Sequence, residues 1–99
     1  MDAQLRIELW TSWASMLRVY AAAHGLAASN HAVVEVGADQ ILLRVDNRWL
    51  CFTAIEETSN EGKRRRFLLN EDGTVTLGDV TEEMDLAAEQ VTRVLFAPN

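Results

Sequence analysis

The sequence predicts an α+β protein with a long first helix, an antiparallel meander of four or five strands and a closing helix, in the order α-β-β-β-β-β-α. Three observations predict this fold. Helical spacing of apolar residues covers residues 4–24, strand patterns separated by turn signals fill residues 31–77, and helical spacing returns from residue 84. Because the strands follow one another without intervening helices, we expect an antiparallel sheet with the helices packed on one face.

The composition limits the class of protein. A chain of 99 residues with 48% hydrophobic and 24% charged residues is expected to form one domain, residues 1–99, around one core. A net charge of −6 repels nucleic-acid backbones and anionic membranes, and no stretch approaches the ~20 apolar residues of a membrane span. Cys51 has no second cysteine to pair with, which favours a reducing compartment and hence the cytoplasm.

The first helix, Gln4 to His24, has an unusually wide apolar face. Its apolar residues span an arc of about 200° on a helical wheel, whereas a core-facing helix needs little more than ~100°. We therefore expect two covers, namely the sheet and either the second helix or the same helix of another subunit. Trp10, Trp13 and Tyr20 lie on this arc. We interpret them as core residues, with an oligomer interface or a small-ligand pocket as alternatives.

Residues that commonly end or begin helices mark the limits of both predicted helices. Gly25 is predicted to end the first helix as a left-handed C-cap, with Leu26 making the accompanying apolar contact. Asp79 and Thr81 are candidate N-caps for the second helix, and Pro98 is predicted to end it.

The central meander contains the strands Ala32–Val36 and Ile41–Val45, and Asp46-Asn47 is predicted to form a two-residue type I′ turn into a third strand. This turn fixes the register. The predicted cross-strand pairs are Val45 with Arg48, Arg44 with Trp49, Leu43 with Leu50, Leu42 with Cys51 and Ile41 with Phe52.

Both faces of this hairpin are apolar in the predicted register. Leu43 and Ile41 belong to the core face, whereas the other side receives four apolar residues, Leu42, Trp49, Cys51 and Ile55. The solvated face of an antiparallel sheet is usually polar. Two explanations are open: each helix covers one face of the sheet, or a second copy of the chain covers this face. With both helices on one face, we expect the second, a homodimer or a higher homo-oligomer.

A second hairpin is predicted from Lys63–Leu69 and Thr74–Leu77, joined by a turn that Gly73 closes. Leu69 should oppose Val75, with Phe67 opposing Leu77, and Thr58–Gly62 should form a loop or an extended hairpin tip.

Four consecutive basic residues, Lys63 to Arg66, begin this hairpin. Arg64 and Arg66 should share one face of the strand. We interpret the cluster as a solvated or edge-protecting strand end. The alternatives are pairing with acidic residues of the same or a second chain, and binding of an anion or nucleic acid.

The sequence contains no motif that identifies a reaction. His24 and His31 lie at element boundaries without a metal-ligand spacing, and Cys51 lies within a strand between apolar neighbours. No glycine-rich phosphate loop, paired-cysteine motif or nucleophile elbow is present. We therefore assign no catalytic residue, metal ligand or cofactor.

The function expected from these observations is a non-enzymatic module for protein–protein interaction, of adaptor or chaperone type, that acts as a homodimer. The candidate binding residues are Trp10, Trp13, Tyr20, Leu42, Arg44, Trp49, Arg64 and Arg66. One alternative is a small-molecule binding protein or small enzyme with an aromatic pocket between the first helix and the sheet, and another is an acidic mimic of nucleic acid. A helix, a curved antiparallel sheet and a closing helix look at fold level like secretion-type chaperones, a resemblance of fold only.

Overall fold

The computed structural model describes residues 1–28 and 31–97, in which two helices flank seven strands along the chain. The elements are α1 (Ala3–Ala28), β1 (Ala32–Val36), β2 (Ile41–Val45), β3 (Arg48–Phe52), β4 (Glu56–Ser59), β5 (Arg64–Leu69), β6 (Thr74–Leu77), β7 (Val80–Glu83) and α2 (Met84–Phe96). The predicted α+β order is confirmed, although the sheet has seven strands rather than four or five.

Each strand pairs antiparallel with the next, so the sheet order is the chain order from β1 to β7. All five predicted pairs between β2 and β3 are confirmed, from Ile41 with Phe52 to Val45 with Arg48. Asp46 has a φ of 56°, whereas Asn47 does not adopt a positive φ. The two-residue turn is therefore present, but it is not of type I′, which needs a positive φ at both residues.

The second predicted hairpin is formed by β5 and β6. Phe67 pairs with Leu77 and Leu69 with Val75, as predicted. Gly73 has a φ of 88°, in the left-handed region that glycine adopts without a steric penalty. The two predicted core pairs lie on the same sheet face, because they are two residues apart on each strand.

Two strands were not expected from the sequence. β4 begins at Glu56 and pairs antiparallel with β5, so Thr58–Gly62 lies at a hairpin tip, the second of the two alternatives predicted for this segment. β7 includes Thr81, which was predicted as a helix cap; its hydroxyl lies instead 2.7 Å from the Thr76 hydroxyl on β6. Helix α2 begins only at Met84, so the two N-cap predictions, Asp79 and Thr81, are wrong.

Helix α1 does not end at Gly25 but continues to Ala28. The predicted C-cap is therefore wrong, and Leu26 is 88% exposed rather than in contact with the helix. A helical glycine costs about 1 kcal/mol relative to alanine, which the good helix formers that follow can offset. Helix α2 ends at Phe96, and the predicted role of Pro98 lies outside the described residues.

Both helices pack on one face of the sheet and against each other. The wide apolar face of α1 is thus covered by the sheet and by α2 of the same chain. Trp13 is fully buried at the centre, with its ring 5.3 Å from Phe52 and 5.4 Å from Phe67, centroid to centroid. Within the described ranges, neither helix is long and apolar enough to cross a membrane.

Candidate functional site

The helix-free face is the sheet face that points away from both helices. Cross-strand pairing places five residues in one row on this face, from β1 to β5. The row consists of Glu35, Leu42, Cys51, Thr58 and Arg64. It therefore has an acidic end, an apolar centre and a basic end.

The centre of the helix-free face is apolar. Leu42, Cys51 and Trp49 are neighbours on β2 and β3, and all three are half-buried. Arg44 lies opposite Trp49, and Val33 on β1 lies opposite Arg44 with 37% of its surface exposed. A sheet face left to solvent is usually polar, so this composition is typical of a contact surface.

Partial burial in this apolar centre raises the pKa of the Cys51 thiol above its ordinary 9.0. The thiolate is the nucleophilic form of cysteine, so a raised pKa lowers reactivity. The environment of Cys51 therefore favours packing over catalysis.

The three aromatic candidates of α1 have partners within the chain. Trp13 belongs to the core, and the half-buried Trp10 donates its indole N–H to the Gly37 carbonyl at 3.0 Å. Tyr20 donates its hydroxyl to Asp85 on α2 at 2.6 Å. These residues thus join α1 to the sheet and to α2, and they do not line the cavity described next.

A groove of about 620 Å³ lies on the helix side of the sheet, between β5, the β6–β7 hairpin and α2. We call it the β5 groove. Its lining is part apolar and part polar or charged. The apolar residues are Leu50, Leu77, Val80, Val91 and Val94, and the polar or charged residues are Glu57, Ser59, Glu61, Lys63, Arg64, Arg65, Glu82 and Gln90. Sequence reasoning did not find it, because β4 and β7 were not predicted.

One wall of the β5 groove contains an ion pair between a buried carboxylate and an exposed arginine. The side chain of Glu57 on β4 is 7% exposed and accepts two hydrogen bonds from Arg65 on β5, Nε to Oε1 at 2.5 Å and Nη2 to Oε2 at 3.2 Å. This bidentate geometry is characteristic of strong arginine–carboxylate pairs. One predicted alternative for the basic cluster, pairing with an acidic residue of the same chain, is therefore confirmed for Arg65.

Arg64 and Arg66 lie on the helix-free face, opposite Thr58 and Glu56 of β4, and both are exposed. The predicted division of the cluster between the two faces is confirmed. β5 pairs with β4 through its first half and with β6 through its second half, so one side of its first half has no strand partner. The interpretation of the cluster as a solvated or edge-protecting strand end therefore stays a prediction.

The two histidines do not converge. His24 stacks on Phe96 and its Nε2 lies 4.0 Å from Glu89, whereas His31 is exposed at the start of β1. Residues 1–28 and 31–97 contain no group of three or more side chains arranged to hold a metal ion.

Comparison of the chain with protein-family models, with curated proteins and with solved structures gave no match in any of the three.

Proposed function

We propose that the protein is a non-enzymatic interaction module that forms a homodimer through the helix-free face and binds another polypeptide. The apolar centre formed by Leu42, Trp49 and Cys51 carries the proposal. Both helices lie on the opposite face of the sheet, and no element of the described chain covers this centre.

The composition of the helix-free face resembles that of protein interfaces. Interface centres are enriched in aromatic residues and arginine and depleted in other charged residues. Trp49 lies at this centre with Arg44 beside it. Trp49 is therefore the expected energetic anchor of the contact, since buried tryptophan is among the commonest hot-spot residues.

Charges at the rim suit a contact between two identical surfaces. In a two-fold dimer each side chain of one copy meets the same patch of the other copy. Glu35 and Arg44 lie at the β1 side of the face and provide both signs of charge within this patch. The acid of one copy can then lie near the base of the other, with the apolar centres stacked between them.

The mass of the protein in solution, measured by light scattering after size exclusion, tests the dimer. We expect twice the chain mass of 11.1 kDa for the wild type and the monomer mass for Trp49→Asp. Ile7→Asp is the matched control, because Ile7 is a 59% exposed apolar residue on α1, on the other side of the molecule. A monomeric wild type, or dissociation by Ile7→Asp but not by Trp49→Asp, would refute the proposal.

The thiol of Cys51 gives a second measurement. If a second copy covers the helix-free face, a thiol-specific reagent should modify Cys51 more slowly as the protein concentration rises. Trp49→Asp should remove this dependence on concentration. A rate that is independent of concentration in the dimeric wild type would place the contact elsewhere.

A further inference from the structure

One side of β5 has no strand partner over its first half. In this strand, Arg65 and Phe67 direct their backbone groups to β4, as the bond from the Phe67 N–H to the Ile55 carbonyl shows. Arg64 and Arg66 must then direct theirs to the β6 side. There, the Arg66 carbonyl accepts from the Gly78 N–H at 2.8 Å.

The open side exists because β6 is shorter than β5. Gly78 has a φ of 62° and starts the two-residue turn into β7, so β6 ends before it reaches Arg64. The N–H and carbonyl of Arg64 therefore have no backbone partner in the part of the chain that the structure describes. Unpaired strand edges of this kind are sites where another chain can add a strand.

The space beside Arg64 is the β5 groove. Its volume of about 620 Å³ lies within the ~300–1,000 Å³ of ordinary binding pockets. Two of its apolar lining residues are largely exposed to solvent: Val80 is 57% exposed and Val94 is 60% exposed. A strand added beside β5 would place every second side chain against these valines.

The charges around the open side indicate which strand would fit. Arg65 is neutralised by Glu57, but Arg64, Arg66 and Lys63 form no ion pair with any described residue. Arg64 and Arg66 point to the helix-free face, so acidic side chains of the added strand would meet them there. The groove side already contains acidic residues, Glu61 and Glu82, and there apolar side chains fit better.

We propose that the open side of β5 binds an extended segment of another polypeptide by strand addition, and that the segment alternates apolar and acidic residues. In the added segment, the residue opposite Arg64 is acidic and lies on the helix-free face. The residues on either side of it are apolar and enter the β5 groove. This inference rests on the proposed function only in taking a polypeptide as the partner; it does not require the dimer.

A fluorescently labelled peptide of about eight alternating valine and glutamate residues tests the proposal by anisotropy. We expect saturable binding that weakens as salt is added, because exposed charges are screened. Two control peptides isolate the two contributions. One has lysine in place of glutamate, and the other has the same sequence with the central backbone N–H groups methylated. Both are expected to bind at least about tenfold more weakly.

Variants at one position separate charge from backbone. Arg64→Ala removes the charged side chain and keeps the backbone N–H, whereas Arg64→Pro also removes the N–H on the open side of β5. Because this N–H makes no bond to β4, the proline variant should keep the fold, which circular dichroism checks. We expect Arg64→Pro to bind more weakly than Arg64→Ala by a further factor of about five. Arg18→Ala on α1 is the control for net charge, because it removes the same one positive charge from an exposed residue, and it should bind like the wild type.

Three results would overturn the proposal: no binding of the valine–glutamate peptide, equal binding of the methylated peptide, or full competition by glutarate, which would indicate a small-anion site. The methylated peptide decides the matter even if a protein variant fails to fold. Titration of the Trp49→Asp variant with the valine–glutamate peptide separates this proposal from the dimer, because peptide binding should persist when self-association is lost.

Discussion

Glu57 and Arg65 face each other across β4 and β5, and the carboxylate, which is 7% exposed, receives two hydrogen bonds from the guanidinium. Glu57 lies on the helix side of the sheet and is the one charged residue among the buried residues of the described chain. A carboxylate at such a position needs a partner, because a buried unpaired charge is costly. The ion pair therefore holds β4 in the sheet.

Arg65→Met should destabilise the protein because it leaves the Glu57 carboxylate buried without its partner. We expect a loss of about 1–3 kcal/mol in the free energy of unfolding, at the lower end because Arg65 is 47% exposed. Arg64→Met is the matched control on the opposite face of the same strand and should change stability by less than about 0.5 kcal/mol. Urea unfolding measures both, and equal effects would contradict this role of the pair.

The same pair explains why β4 could not be predicted from the sequence. Glu56-Glu57-Thr58-Ser59 contains no apolar residue and resembles a loop. Its strand conformation depends on β3 and on Arg65, which are brought to it only by the fold. β7 had a recognisable signal, because Gly78-Asp79 is a common two-residue hairpin turn, but the acidic residues after it were interpreted as the start of a helix.

The residues of the helix-free face, in contrast, were predictable. A two-residue turn at Asp46-Asn47 leaves one register, and side-chain alternation then places Leu42 and Trp49 on the same face. The β5 groove was not predictable in this way. It depends on where β6 ends and on the approach of Val94, which are properties of the packed structure.

Trp13 should be the side chain whose loss costs most. Trp13→Ala removes a fully buried ring that contacts Phe52 and Phe67, and we expect a loss of about 3–5 kcal/mol. Trp13→Phe should cost less than half of this, because it keeps an aromatic ring and removes an indole N–H that has no hydrogen-bond partner in the described chain. Equal losses in thermal or urea unfolding would contradict this expectation.

Arg48 joins β3 to the C-terminal end of α2. Its guanidinium donates to the carbonyls of Ala97 at 2.6 Å and Val94 at 3.0 Å, at the end of the helix, where carbonyls lack a following turn. The Val94 carbonyl also accepts from the Ala97 N–H at 3.2 Å. Arg48→Met should therefore lower stability by about 1–2 kcal/mol and speed amide exchange in the last turn of α2. Arg48→Lys should recover only part of the loss, since an ammonium lacks the planar fork. Unchanged exchange in Arg48→Met would exclude this capping role.

Tyr20 joins the two helices and can be observed directly, because it is the one tyrosine in the sequence. Its hydroxyl donates to Asp85 at 2.6 Å, and this hydrogen bond, with desolvation and the charges of Asp85 and Glu89, raises the pKa of Tyr20 above the ordinary 10.0. Titration of tyrosinate absorbance should give a midpoint above 10.0 in the wild type. Asp85→Asn should lower the midpoint more than Glu89→Gln, because Asp85 supplies the larger part of the shift.

The raised pKa of Tyr20 also fixes how stability should change with pH. The folded state holds the phenol proton more tightly than the unfolded state, so the stabilisation is fully present below the unfolded pKa, near 10.0, and is lost as the pH rises through the higher folded value. Tyr20→Phe lacks this proton and should lose less stability than the wild type across that alkaline range. Parallel urea unfolding curves for the two proteins at all alkaline pH values would show that the Tyr20–Asp85 bond does not contribute to stability in solution.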